Sequence, residues 1–313
     1  MSPIIEVKNL VKRYRNAKEN AISDISFSVE KGEFFALLGP NGAGKTTTLS
    51  ILTTTLKKTS GEVRIAGHNV EAEQNIVRKK IGVIFQGPTL DLNLTAEENV
   101  RFHAILYGIY PFRPAYSLMP VSYKERIKDL ASLLGIEKDI FHPIKTLSGG
   151  MKRKFEIVRS LMHNPKILFL DEPTTGLDPE SRKNLWEYLQ SVRKKEKTTI
   201  FLTTHYLEEA EDADKITIIN HGKIVSYGTP RHITKDLIDE YLLLDASDRN
   251  SLRKELEKMQ LPINGEGPFR VELKEGSAQL IIKSLHIPLT FLKIHTPSLE
   301  EAYLEIIRDD ERI

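Results

Sequence analysis

The sequence predicts an α/β fold built on a parallel sheet and followed by a small α+β domain, and three observations carry that expectation. Apolar runs at 34–38, 167–170 and 200–202 are too short for core helices and read as strands buried on both faces. Between the last two lies a helix striped by Leu185, Leu189 and Val192, and strand, helix, strand at that spacing is a parallel βαβ unit. After Ile233 the pattern changes, with strand-like segments at 241–244, 269–273 and 290–294 alternating with helix-like ones at 252–259, 278–284 and 299–307. That appendage reads as ferredoxin-like.

The remaining elements follow in order. Residues 4–29 alternate as strands, and Lys31-Gly32 breaks them before the buried run at 34–38. From Lys45 a helical stripe runs through Leu49, Leu52 and Leu56, although its threonines are poor helix formers, so packing or a ligand must hold it. Residues 94–162 read as a mostly helical lobe whose last element is striped by Met151, Phe155, Val158 and Met162. Residues 216–227 form a hairpin turning at Asn220-His221-Gly222. The expected domains are 1–232, with a helical subdomain at about 87–163, and 233–313.

Composition removes several function classes. Forty-five Lys and Arg against forty-three Asp and Glu give a net charge of +2, too balanced for a polyanion binder, so no nucleic-acid partner is expected. The basic runs Lys152-Arg153-Lys154 and Arg193-Lys194-Lys195 read as solvated helix faces. The absence of cysteine excludes disulfides and thiolate chemistry and fits a reducing compartment. Nine histidines lack the HxH and HExxH spacings of a metal centre. No apolar run approaches the roughly 18 to 20 residues that cross a bilayer, which leaves room for docking on a membrane protein made from another chain.

Gly39-Pro40-Asn41-Gly42-Ala43-Gly44-Lys45-Thr46 matches the phosphate-loop pattern, with a buried strand before it and a helix after it. Its glycines let successive backbone N–H groups face one phosphate chain at a helix N-terminus. Lys45 would reach the β and γ phosphates and Thr46 would ligate Mg²⁺. Asp171 and Glu172 end the buried run at 167–170, at the sheet edge where ligands bind in open α/β folds. Asp171 would hold Mg²⁺ and Glu172 would polarise the water that attacks the γ-phosphate. His205 ends the next strand on the same rim, placed for a γ-phosphate contact.

Leu147-Ser148-Gly149-Gly150-Met151 opens another helix, with Ser148 as its cap and two glycines that admit an anion. This second phosphate-binding surface lies about a hundred residues from the first. One cradle suffices for one nucleotide, so Ser148, Gly149 and Gly150 of one copy are expected to close over ATP held by another.

Over roughly residues 4–230 the chain resembles the ATP-binding subunits of ABC transporters, with six motifs in the family's order. They are the Walker A stretch including Thr47, the glutamine of Phe85-Gln86, the signature at 147–151, the Walker B stretch at 167–172, the D-loop Gly176-Leu177-Asp178 and the switch His205. The resemblance implies a P-loop NTPase fold with a RecA-like core, an antiparallel β subdomain and a helical subdomain. It also implies an ATP-sandwich dimer, homo- or heterodimeric, that drives a separately encoded transmembrane permease from the cytoplasmic side of the membrane. Carried over, Tyr14 stacks on adenine, Gln86 touches Mg²⁺ and the attacking water, and Asp178 orders the dimer seam.

More finely, Phe85-Gln86-Gly87-Pro88-Thr89-Leu90-Asp91, the signature Met151, the stretches at 172–178 and 204–210, and the tail Thr296-Pro297-Ser298-Leu299-Glu300-Glu301-Ala302-Tyr303 resemble ATPases of ABC-2-type exporters, including daunorubicin-resistance ATPases. A departure is the aromatic, proline-rich segment 107–123, which looks longer than in that group and is expected on the face that docks the membrane subunit. The alternative is a soluble ABC-type ATPase of translation or repair, but neither a second cassette nor a long coiled-coil insert is present.

Overall fold

In the computed structural model, residues 2–87, 89–235, 241–259, 261–273, 277–295 and 298–310 are described. Pro88, Thr296 and Pro297, which belong to two of the family motifs above, lie outside them. The chain divides into two units, Met1–Tyr227 and Gly228–Ile313. This boundary falls a few residues before the expected one, because the short helix that follows it packs on the last helix of the second unit.

The first unit contains the strands β1 (Ile5–Lys12), β2 (Ile22–Val29), β3 (Phe34–Leu38), β4 (Ser60–Ile65), β5 (His68–Asn69), β6 (Ile81–Ile84), β7 (Ile167–Asp171), β8 (Thr199–Thr204), β9 (Lys215–Asn220) and β10 (Lys223–Gly228). Its helices are α1 (Lys45–Leu52), α2 (Gln74–Arg78), α3 (Ala96–Leu106), α4 (Val121–Leu133), α5 (Gly149–Leu161), α6 (Pro179–Glu196) and α7 (Leu207–Ala210). One sheet runs β10-β9-β3-β8-β7-β6 and is parallel from β9 to β6. Strands β3, β7 and β8 are buried at every position, which is why their sequences are runs rather than alternations.

A second, antiparallel sheet runs β2-β1-β4-β5. Phe27 from it stacks on Phe35 at 5.4 Å and tilts against Phe201 at 6.1 Å, joining the two sheets through one apolar layer. Phe34 meets Trp186 of α6 at 5.7 Å. Each buried aromatic of this kind contributes about 1.5–3 kcal/mol by leaving water. Helix α1 stops at Leu52 rather than continuing through Leu56. Thr53 Oγ1 bonds back to the Leu49 carbonyl at 2.9 Å and Thr54 turns left-handed at φ 64°, ending the helix while Leu56 still packs on the core. Between β9 and β10, His221 and Gly222 both take positive φ, the two-residue turn whose twist suits a hairpin.

Helices α3, α4 and α5 form the helical lobe between β6 and β7. Thr95 and Glu98 close a capping box on α3. The segment 107–123 is fastened at a few points, with Met119 and Tyr123 buried. The Arg101 guanidinium, paired with buried Glu97 at 3.1 Å, donates to the Arg113 carbonyl at 2.9 Å, while Tyr116 sets its edge against Phe141 at 5.0 Å. Phe112 is left exposed.

The second unit contains α8 (Pro230–Lys235), β11 (Tyr241–Ala246), α9 (Arg249–Lys258), β12 (Ile263–Asn264), β13 (Phe269–Glu272), α10 (Ser277–Ser284), β14 (Leu289–His295) and α11 (Leu299–Asp310). Its antiparallel sheet runs β12-β13-β11-β14, with α9 and α10 as the two crossovers of a β-α-β-β-α-β unit. Leu242, Leu244, Leu252, Leu256 and Val271 form its core.

Candidate nucleotide site

The loop between β3 and α1 is shaped by glycine. A Cβ on Gly39 would lie 2.2 Å from the Ile219 carbonyl oxygen, so no other residue fits beneath the loop. Gly44, at φ 108°, stands where α1 needs a left-handed entry and offers no side chain to cap the helix, so its first N–H groups stay open to an anion.

Lys45 opens α1 and is 5% exposed. Its ammonium donates to the Gly39 carbonyl at 2.8 Å and the Pro40 carbonyl at 3.1 Å, and lies 3.6 Å from Glu172 Oε1. Burial pulls the lysine below its ordinary pKa range, with Glu172 and then Asp171 opposing the shift. A charge parked on loop carbonyls in this way is ready to transfer to phosphate oxygens.

Asp171 and Glu172 arrive together at the end of β7. Burial raises the Asp171 pKa and the Thr203 hydroxyl bond opposes the rise, while the neighbouring Glu172 charge adds to it. Glu172 has φ 44°, a left-handed conformation that is strained for a side chain of its size, and its N–H is fixed on the Thr203 carbonyl at 3.0 Å. Gln86 donates from Nε2 to Glu172 Oε2 at 3.1 Å. His205 Nδ1 stands 3.1 Å from Glu172 Oε1 but off the line that a hydrogen bond needs, so that nitrogen has no hydrogen-bond partner.

Lys45, Thr46, Gln86, Glu172 and His205 line a single cleft of about 520 Å³, with Asn41, Gly42, Gly44 and Thr47 on its loop side. Asp171, 3% exposed, ends β7 directly before Glu172 and accepts the Thr203 hydroxyl. Tyr14 is beside the loop, its hydroxyl 3.2 Å from Thr47 Oγ1, with its ring under Lys12 and half-exposed. Pro40 and Ala43 belong to the loop backbone, where the Ala43 N–H bonds the Pro40 carbonyl at 3.2 Å.

The second cradle lies elsewhere. Ser148 caps α5 by accepting the Met151 N–H at 3.3 Å, and Ser148 and Gly150 line a separate recess of about 100 Å³ with Leu177 and Ser181. Gly149 faces open space. Asp178 caps α6 through the Ser181 N–H at 2.9 Å, a structural task that sequence did not assign it.

The donors offered by Thr46, Gln86 and Asp171 are all oxygens, as a Mg²⁺ ion demands. Among the described residues no group of three His, Asp or Glu is placed to hold a metal by itself.

Sequence reasoning missed a buried support. Glu209 of α7 is 3% exposed and accepts the Thr174 hydroxyl and, at 2.6 Å, the Thr204 hydroxyl, tying the segment after Glu172 to the one before His205. Burial raises its pKa against those two bonds. The THYLEEA stretch holds both this glutamate and Thr204, but Thr174 lies 35 residues away in sequence and could not be foreseen as a partner.

A phosphate loop on a strand-to-helix turn, with two carboxylates and a histidine on the neighbouring strand ends, defines a P-loop nucleotide hydrolase. The family model of ABC transporters matches residues 22–175. Linearmycin resistance ATP-binding protein LnrL of Bacillus subtilis is 32% identical over 97% of this chain and 98% of its own length. The Nod factor export ATP-binding protein I of Ralstonia nicotianae is 35% identical over 85% and 80%, and the daunorubicin/doxorubicin resistance protein DrrA of Streptomyces peucetius is 38% identical over 82% and 74%. Among solved structures, an ATP-binding subunit of an ABC transporter superposes with TM-score 0.64 at 31% identity, covering 74% of this chain and 92% of the other. A dimeric ATP-binding cassette in a post-hydrolysis state with ADP and Pi gives 0.63 at 27%, covering 72% and 98%. The chain belongs to the ATP-binding proteins of ABC transporters, and it is an ATPase.

Proposed function

We propose that this chain hydrolyses ATP as a head-to-tail pair and so powers export through a separately encoded permease, from the cytoplasmic side of the membrane. The observation that carries the pairing is the separation of the two cradles. The cleft with Lys45 and Glu172 is not lined by Ser148, Gly149 or Gly150 of the same copy, and those three residues form a capped helix start apart from it. Closure of a second copy gives each cleft its missing wall.

Within that pocket the residues divide the work. The loop N–H groups and Lys45 hold the β and γ phosphates, Tyr14 stacks on the base, and Asp178 holds the D-loop at the seam. Thr46, Gln86 and Asp171 hold Mg²⁺, which neutralises charge on the β and γ phosphates when bound. Glu172 accepts the proton of the attacking water, with Gln86 fixing its carboxylate and His205 contacting the γ-phosphate from the rim of the cleft.

Export is supported by the names of three relatives, which are export or resistance ATP-binding proteins. Among the described residues no helix is long and apolar enough to cross a membrane. The exposed Phe112, in the segment 107–123, is assigned to the docking face. Affinity capture of the tagged Glu172→Gln protein from detergent-solubilised native membranes with ATP should retain a polytopic membrane protein without its own phosphate loop. Recovery of the chain alone would argue for the soluble alternative.

A further inference from the structure

Arg153 sits in the basic run that reads as a solvated helix face, yet it is 8% exposed. Its guanidinium is extended from α5 to three acceptors. Nε donates to the Pro173 carbonyl at 2.9 Å, and Nη1 donates to the Phe85 carbonyl at 2.6 Å and to Glu156 Oε2 at 2.7 Å. Phe85 precedes Gln86 and Pro173 follows Glu172, so one planar side chain ties down the backbone beside both residues of the Gln86–Glu172 hydrogen bond.

The anchor is itself anchored. Glu156 is 3% exposed, and its other oxygen accepts the Thr89 N–H at 2.7 Å and the Thr89 hydroxyl at 2.9 Å. Arg159, one turn further along α5, donates to the Thr89 carbonyl at 2.8 Å. A buried ion pair is a poor source of stability, since apolar side chains of the same volume pack at no desolvation cost. What this pair supplies is position: α5, which begins at Ser148, is fastened to the segments around Gln86 and Glu172.

We infer that Arg153 is a positioning residue that links the two nucleotide sites of the pair. The start of α5 contacts the triphosphate held by the other copy, and Arg153 carries the resulting helix position to Gln86 and Glu172 of its own copy. This rests on the composite-pocket reading above. Lysine tests it sharply, because an ammonium balances Glu156 but cannot place two donors of a planar fork on carbonyls from different segments.

The experiment uses the full chain carrying Arg153→Lys or Arg153→Gln, each also combined with Glu172→Gln. The readouts are ATPase kinetics, thermal melting and ATP-driven pairing by sedimentation. Arg153→Lys should melt within a few degrees of the parent and, with Glu172→Gln, pair on ATP as Glu172→Gln alone does. Its kcat should fall about tenfold or more while KM moves less than about threefold, and the Hill coefficient for ATP should drop from above 1 to about 1. Arg153→Gln should lose more kcat, and if it fails to fold the lysine variant decides alone. Parental kcat and Hill coefficient in Arg153→Lys would show that Glu156 needs only a counter-charge, which overturns the proposal. Loss of ATP-driven pairing in the Arg153→Lys, Glu172→Gln protein also overturns it, by placing the defect in the cap. Failure of Glu172→Gln alone to pair would instead sink the composite reading and this inference with it.

Discussion

Glu172→Gln is expected to bind ATP normally and to hydrolyse it about 10²- to 10⁴-fold more slowly, the range that a positioned general base contributes. The two side chains have nearly the same shape, so the packing of this 8% exposed residue and its contact with Gln86 survive. What is lost is an oxygen able to take a proton from water. The change also removes the negative charge 3.6 Å from Lys45, freeing that ammonium for phosphate. ATP-bound pairs should therefore accumulate, visible as a doubled sedimenting mass together with a flat phosphate-release trace. Parental turnover in this variant would remove Glu172 from the base role.

Gly149→Asp is expected to fold as the parent does and to lose turnover by two orders of magnitude or more. Gly149 is the first helical residue of α5, and a Cβ there meets nothing within 4 Å, so no clash arises inside one copy. An acidic side chain at a helix start is favourable by about 0.3–1 kcal/mol, and replacing glycine adds some helix propensity. Melting should hold or rise slightly. The same carboxylate faces the triphosphate of the other copy, where like charge and bulk oppose closure. ATP affinity of the single chain should persist while pairing and hydrolysis vanish, a combination that a site complete within one copy does not produce.

Much of this was legible because the chemistry that positions it is local. Runs such as those that became β3, β7 and β8 announce burial on both faces, and Gly39 and Gly44 sit where a tight loop between strand and helix needs them. The α1 stripe misled at Leu56, since periodicity does not report a threonine bonding back to the helix. Arg153 and Glu209 were hidden for another reason. Charge in a sequence is read as solvent-seeking unless its partner is known, and the acceptors at Phe85 and Pro173 and the donor at Thr174 come from segments that only the fold assembles. Likewise nothing in the sequence shows that Arg101, in a preceding helix, fastens the segment 107–123 at the Arg113 carbonyl.

Whether one polypeptide can complete the pocket is decided by the ATPase rate per chain across a dilution series, with molecular mass recorded at each concentration. The account predicts a specific rate that collapses as the sample passes from pairs to single chains and recovers on reconcentration. A specific rate that stays level while only single chains sediment would contradict it.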